Sequence, residues 1–241
     1  MADERDDGAG GARDDDKLDR IVKARMALRQ RFEARMAESP SLSDTAPLGD
    51  GPPNRHGMPQ IPIGQTETEK WPVLDLGAKP SIALARWQLR LDGACQHPVS
   101  LGFADFMALE QIEDTSDFHC VTTWSKLDLR WKGVRLSELL ALCEPAPDAT
   151  HLLCHAYDGY STNLPIAEAL KPDVLLVHTV NGLPLPREHG GPVRMITPQL
   201  YAWKGAKWIN RIELLRADRP GFWEERGYSM TAYPWRNDRY R

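Results

Sequence analysis

Cys120 sits in the run Asp117-Phe-His-Cys-Val-Thr-Thr-Trp-Ser125, where Asp117, His119, Thr122, Thr123 and Ser125 surround a single thiol. A lone cysteine is most often core filler, but this run is too polar for an ordinary core strand. Two chemistries suit it. A thiolate activated by His119 or His189 is a nucleophile. A thiolate is also a soft ligand for a high-valent metal already bound to other sulfurs.

A second run, Val177-His-Thr-Val-Asn-Gly-Leu-Pro-Leu-Pro-Arg-Glu-His-Gly-Gly-Pro-Val-Arg194, continues to Trp208. It sets His189 and Arg194 around Gly190 and Gly191, and Lys204 and Lys207 follow. Fixed cations beside glycines suit a polyanion, because the arginine fork grips phosphate and glycine lets backbone come close. Taken singly, each cation reads as a surface charge. Two shorter runs are also polar. Tyr157-Asp-Gly-Tyr-Ser-Thr-Asn-Leu-Pro165 offers Asp158 and Tyr160 around a tight turn, and Asn54-Arg55-His56 precedes Met58. Packed turn and polar loop are the plain alternatives for these two. His155 reads as a core histidine.

These residues need a scaffold, and 241 residues supply one substantial domain plus a tail. Hydrophobic residues make up 41%, low enough to expect a polar appendage. A net charge of −4 argues against non-specific nucleic-acid binding. Eight tryptophans point to large buried aromatic surfaces or an indole-walled cleft. The four cysteines, Cys95, Cys120, Cys143 and Cys154, form no CxxC pair, which argues against a zinc ribbon. Residues 1–20 carry eight acids and four bases, with no apolar signal core and no twin arginine. No run approaches the roughly 18–20 apolar residues that span a bilayer. A reducing, cytoplasmic setting with free thiols is the expectation.

The pattern along the chain predicts a disordered acidic tail over 1–16 and an amphipathic helix over 17–38. In that helix Leu28, Phe32 and Met36 fall at four-residue spacing, and Lys23, Arg25, Arg29, Arg31 and Arg35 lie opposite. The basic face allows peripheral docking to an acidic partner or membrane surface, with a solvated helix as the simpler reading. Residues 39–70 are Pro-rich and expected to be extended, wrapping a surface without forming an element. The folded domain is expected over 71–241. Strands are expected at 86–92, 118–121, 127–131, 151–156, 173–180, 193–197 and 208–215, and short helices at 101–110, 136–143 and 165–170. Asn181-Gly182 is a hairpin signal. Many short strands with few helices indicate an α+β domain with antiparallel or mixed sheets.

Over residues 52–241 the chain resembles the molybdopterin-binding domain of the sulfite oxidase family, in its small single-domain form. The cysteine run 117–125, the loop 157–165 and above all 174–212 carry the likeness. That resemblance implies a molybdenum–molybdopterin cofactor with Cys120 as the protein's ligand to the metal, two further sulfurs coming from the pterin. It implies Asp158 and Tyr160 beside the metal. His119, Thr122, His189, Arg194, Lys204, Lys207 and the triplet Asn54, Arg55, His56 would hold the cofactor. Lys204 stands where an arginine is common.

The implied activity is two-electron oxygen-atom transfer, cycling Mo(VI) and Mo(IV), with electrons exchanged with a separate haem or flavin protein. Sulfite oxidases carry arginines just after the cysteine, where this chain has Trp124 and Ser125. Losing such charge from a dianion pocket costs on the order of 1.5–3 kcal/mol per interaction. The expected substrate is therefore a small neutral or organic one, such as a sulfoxide or N-oxide. The alternatives are a metal-free Cys/His thiol enzyme and a non-enzymatic cofactor-binding module.

Overall fold

The computed structural model describes residues 8–37 and 46–241. They fall into two units. In the first, helix α1 (Gly8–Ala37) is joined by residues 74–79, with Lys17 Nζ donating to Gly77 O at 2.6 Å. Ion pairs one turn apart, Arg20–Asp16 at 2.9 Å and Arg29–Glu33 at 2.8 Å, support the helix. Part of the tail expected to be disordered, residues 8–16, is therefore helical, while 1–7 and 38 lie outside the described residues. Leu28, counted on the apolar stripe, is exposed.

The second unit comprises 46–73 and 80–241. In chain order its elements are β1 (Gly49–Pro53), β2 (Pro59–Pro62), β3 (Thr66–Glu67), β4 (Gln88–Gly93), β5 (Val99–Gly102), α2 (Phe103–Ala108), β6 (Ile112–Cys120), β7 (Trp124–Arg135), α3 (Leu136–Cys143), β8 (His151–Ala156), β9 (Ser161–Pro165), α4 (Ile166–Ala169), β10 (Leu175–Val180), β11 (Leu183–Pro184), β12 (Arg194–Ile196) and β13 (Ile209–Leu215). One sheet runs β11-β10-β7-β3, with β6 paired to β7 and β12 to β10. Another runs β5-β4-β13-β8-β9, and β1-β2 form a small pair. Parallel pairing joins β13 to β4 and β3 to β7, and the other pairs are antiparallel. The chain thus adopts the α+β architecture with mixed and antiparallel sheets.

The Pro-rich segment does more than wrap. Leu48 N bonds Trp235 O at 2.8 Å and Trp235 Nε1 bonds Pro59 O at 2.6 Å, so its strands are pinned by the C-terminal segment. The domain accordingly takes in residues from 46 onward, ahead of the expected start at 71. Leu129, Trp131, Leu175, Val177 and Ile196 form the core of the first sheet, and Trp71 and Phe118 pack on it. Burial of this kind stabilises by about 25 cal/mol per Å² of apolar surface. It also seats the strand that carries Cys120.

Candidate active site

Cys120 ends β6, and residues 121–123 turn the chain into β7. Thr123 takes a left-handed φ of 77°, and its N–H closes the turn on Cys120 O at 3.1 Å. The thiol is 5% exposed and lies 3.1 Å from the Thr122 hydroxyl. Two distant segments grip the turn. Gln65 Nε2 donates to Cys120 O at 3.1 Å, and Arg239 Nη1 donates to Val121 O.

His119 is buried, and its Nδ1 meets Ser125 Oγ at 2.8 Å. Burial pulls its pKa down to about 3, so the ring is neutral. Its Nε2 has no partner among the described residues. The same narrow cleft is lined by His119, Ser116, Phe118, Trp131, Thr197 and Gly205. Ser116 Oγ and Thr197 Oγ1 are likewise buried and without a partner among the described residues. Buried polar atoms are normally satisfied, so three orphans lining one cleft leave donors and acceptors open, although its volume of about 10 Å³ admits nothing larger than a water.

Arg194 sits on β12, paired with Val177 of β10. It is 3% exposed, and its guanidinium donates to the carbonyls of His189 and Gly205, both at 3.0 Å, and of Met195 at 3.2 Å. It lies over the Phe118 ring at 5.0 Å, two residues before Cys120. No carboxylate pairs with it among the described residues. Burial lowers its pKa to about 9, which leaves it cationic at neutral pH. A buried cation held only by carbonyls is the electrostatic counterpart of an anionic ligand.

Gly190 joins this cradle. It has φ 110°, and a Cβ there would stand 2.9 Å from Lys207 Cβ and 3.0 Å from Arg194 Cβ. Lys207 Nζ donates to Glu188 O at 2.9 Å and lies over Trp208. The His189 ring stacks on Trp71, centroids 3.6 Å apart.

Tyr160 OH donates to Trp203 O at 2.5 Å, and burial pushes its pKa well above the usual phenol range. Asp158 Oδ1 accepts from Tyr160 N at 3.1 Å and so shapes the turn. Of the predicted residues His119 lines the cleft, while Tyr160 lines a separate pocket with Gln88, Arg90, His155 and Arg211. Lys204, expected among the anion-binding cations, is fully buried and bonded to Glu224 Oε1 at 2.6 Å and to Asn163. Fixing it inward is cheaper than leaving Glu224 alone in the core. Arg55 forks onto Asp114 at 2.5 and 3.0 Å, and His56 meets Asp173 at 3.1 Å. Asn54 Oδ1 accepts from the backbone N–H of His56 and Met58. That triplet is a docked turn held by carboxylates.

Sequence reasoning missed Ser116, Thr197, Gln65 and Arg239. Gln65 and Arg239 carry no local signal, since only the fold brings them to Cys120.

The donor set fits a phosphorylated pterin carrying a metal. A thiol stands at the end of the strand that lines the cleft, orphaned polar atoms line that cleft, and a buried uncompensated arginine lies beside it. Among the described residues no three His, Cys, Asp or Glu side chains cluster as a metal site, so the other ligands would come from the cofactor.

Residues 76–223 match the family model described as the oxidoreductase molybdopterin binding domain. The oxidoreductase YuiH of Bacillus subtilis (strain 168) is 40% identical over 75% of this chain and 92% of its own length. The protein-methionine-sulfoxide reductase catalytic subunit MsrP of Gluconobacter oxydans (strain 621H) is 32% identical over 61% of this chain and 54% of its own length. Mitochondrial sulfite oxidase of Homo sapiens is 34% identical over 41% of this chain and 20% of its own. The sulfane dehydrogenase SoxCD of Paracoccus pantotrophus shares the fold, with a TM-score of 0.55 at 20% identity over 58% of this chain and 41% of its own.

Proposed function

Because the chain belongs to the molybdopterin-binding oxidoreductase family, we propose that it transfers an oxygen atom to or from a small organic sulfoxide, N-oxide or similar sulfur-oxo substrate. Electrons pass to or from a separate haem or flavin protein. When bound, the molybdenum cofactor supplies two-electron redox chemistry with one position open to substrate.

The chain's own residues do the rest. Cys120 would anchor the metal through its thiolate, which the closed turn at Thr123 holds in place. Arg194 and Lys207 would hold the anionic end of the cofactor. His119, kept neutral by burial, offers Nε2 to a polar edge in the cleft together with Ser116 and Thr197. Tyr160 keeps its phenol proton, because burial disfavours the phenolate, and donates it to Trp203 O. The observation that carries the reading is Arg194, a buried cation lying against the cysteine-bearing strand with no carboxylate among the described residues.

A neutral substrate is supported at the positions after the cysteine. Trp124 stacks on Phe118, and Ser125 is buried against His119, so neither offers a charge to a dianion. The likeness to a relative named as a methionine-sulfoxide reductase catalytic subunit supports both a sulfoxide-type substrate and a separate carrier. A cytoplasmic setting belongs to the same reading and is checked by cell fractionation.

The test is elemental molybdenum together with the fluorescent oxidation product of the pterin, on protein from a molybdate-supplied host. About one metal and one pterin per chain, with metal lost in Cys120→Ala, is the expected result. Neither group in the wild-type protein from a competent host would sink the proposal. A dye-linked assay then compares methionine sulfoxide and trimethylamine N-oxide with sulfite, and turnover of sulfite alone would overturn the substrate assignment.

A further inference from the structure

Arg239 lies outside the family match at 76–223, yet it reaches the heart of the site. Its side chain is 0% exposed. Nη1 donates to Val121 O, next to Cys120, and Nε donates to Asn237 Oδ1 at 2.8 Å. Nη2 points to the carbonyls of Ile63 and Gly64, both at 3.4 Å, and the guanidinium lies over the Tyr201 ring at 4.7 Å. One side chain thus ties two separate stretches to the cysteine turn: the strap before β3 and the C-terminal segment. Gln65, on the same strap, grips the next carbonyl along, that of Cys120.

Such a fork restricts the turn more than any single bond would, since several donors leave one rigid plane. It also puts a charge there. Burial lowers the Arg239 pKa, while Tyr201, Tyr240 and Cys120 in their ionised forms favour its charged state. The guanidinium reaches the backbone one residue past Cys120, so its charge stands at the turn that carries the thiol.

We propose that Arg239 is a positioning residue for Cys120, holding the 120–123 turn by its fork and placing a fixed positive charge at the turn whose thiolate would ligate the metal. The proposal rests on the reading of Cys120 as that ligand. A nearby cation lowers the energy of the sulfur lone pair and favours the more electron-rich state of the centre. Removing it therefore shifts the sulfur-to-metal charge-transfer band to lower energy and the reduction potential to more negative values.

The experiment uses the molybdenum-loaded chain and three variants, Arg239→Gln, Arg239→Lys and Cys120→Ala. Each is measured for metal content, charge-transfer absorption, potential by redox titration and thermal melting. Arg239→Gln is expected to move band and potential in the stated directions. Arg239→Lys, which keeps the charge and loses the fork, is expected to keep both near wild type but to retain less metal. Folded, metal-loaded Arg239→Gln with an unchanged band and potential overturns the proposal. Where Arg239→Gln does not fold, Arg239→Lys decides, and full metal retention with wild-type melting overturns it. Cys120→Ala separates the two claims. If it leaves metal and band intact, the ligand reading fails. If it abolishes both while the Arg239 variants change nothing, only the role of Arg239 fails.

Discussion

Lys204 Nζ lies 2.6 Å from Glu224 Oε1, and both side chains are wholly shielded from solvent. The same oxygen accepts from Trp203 Nε1 and Thr162 Oγ1, each at 2.9 Å. Trp203 in turn receives the Tyr160 hydroxyl on its carbonyl. Glu224 therefore ties the C-terminal segment to the 202–204 turn and, through it, to Tyr160. Replacing one partner leaves a buried charge alone. Glu224→Gln is expected to cost roughly 3–5 kcal/mol, and a Lys204→Met/Glu224→Leu double variant distinctly less. Urea unfolding of the three proteins checks this, and equal losses in single and double variants would contradict it.

Gly221 packs against β9 so closely that a Cβ would stand 2.5 Å from Ser161 O and from Thr162 Cα. Both are backbone atoms, so no side chain can yield. Gly221→Ala is expected to lower the melting temperature by several degrees, the equivalent of about 1–3 kcal/mol. It should also disturb the Tyr160 environment, read from tyrosine absorption. An unchanged melting curve would count against the packing.

Gly190 holds the cradle closed. An alanine there meets Arg194 and Lys207 at 3.0 Å or less and must adopt φ 110°. Gly190→Ala is expected to fold with molybdenum and pterin occupancy reduced at least several-fold. Full occupancy would mean that the close approach of this backbone does not shape the cofactor site.

Several groups make stability fall on acidification: His119, His155 and His178, whose pKa values burial lowers, and Glu213. Burial lowers the His155 pKa below 6.5, opposed by its hydrogen bond to Glu213. The unfolded chain then binds more protons in the window just below pH 6.5, so stability is full above it and declines as pH falls. Burial raises the Glu213 carboxyl, but bonds from Arg219 and His155 and the charge of Arg211 bring it below 4.5. Its contribution is present above pH 4.5 and is lost as pH falls through the folded value. Melting temperature is thus expected to drop in two stages on acidification. His119 and His178 share the upper stage, so His155→Gln should make it shallower without removing it, and a profile identical to wild type would refute the assignment.

Much of this protein is written in short stretches of its sequence. Period and turn chemistry mark α3 at 136–143, β8 at 151–156 and the Asn181-Gly182 hairpin, because those signals depend on neighbours a few residues apart. The run around Cys120 and the cradle from His189 to Lys207 are legible for the same reason, since chemistry and spacing lie within one segment. Direction is another matter. Lys204 reads as a cation for an anion, yet it turns inward because Glu224 and Asn163 wait there. The Pro-rich strap forms strands because Trp235, 176 residues from Pro59, caps it. Thr162 and Asn163 make a buried strand only because Glu224 and Lys204 satisfy their side chains. Arg239 finds Val121 across 118 residues. Local sequence carries propensity and reactive groups. Which buried polar group meets which partner depends on how distant segments pack, and only the tertiary structure decides that.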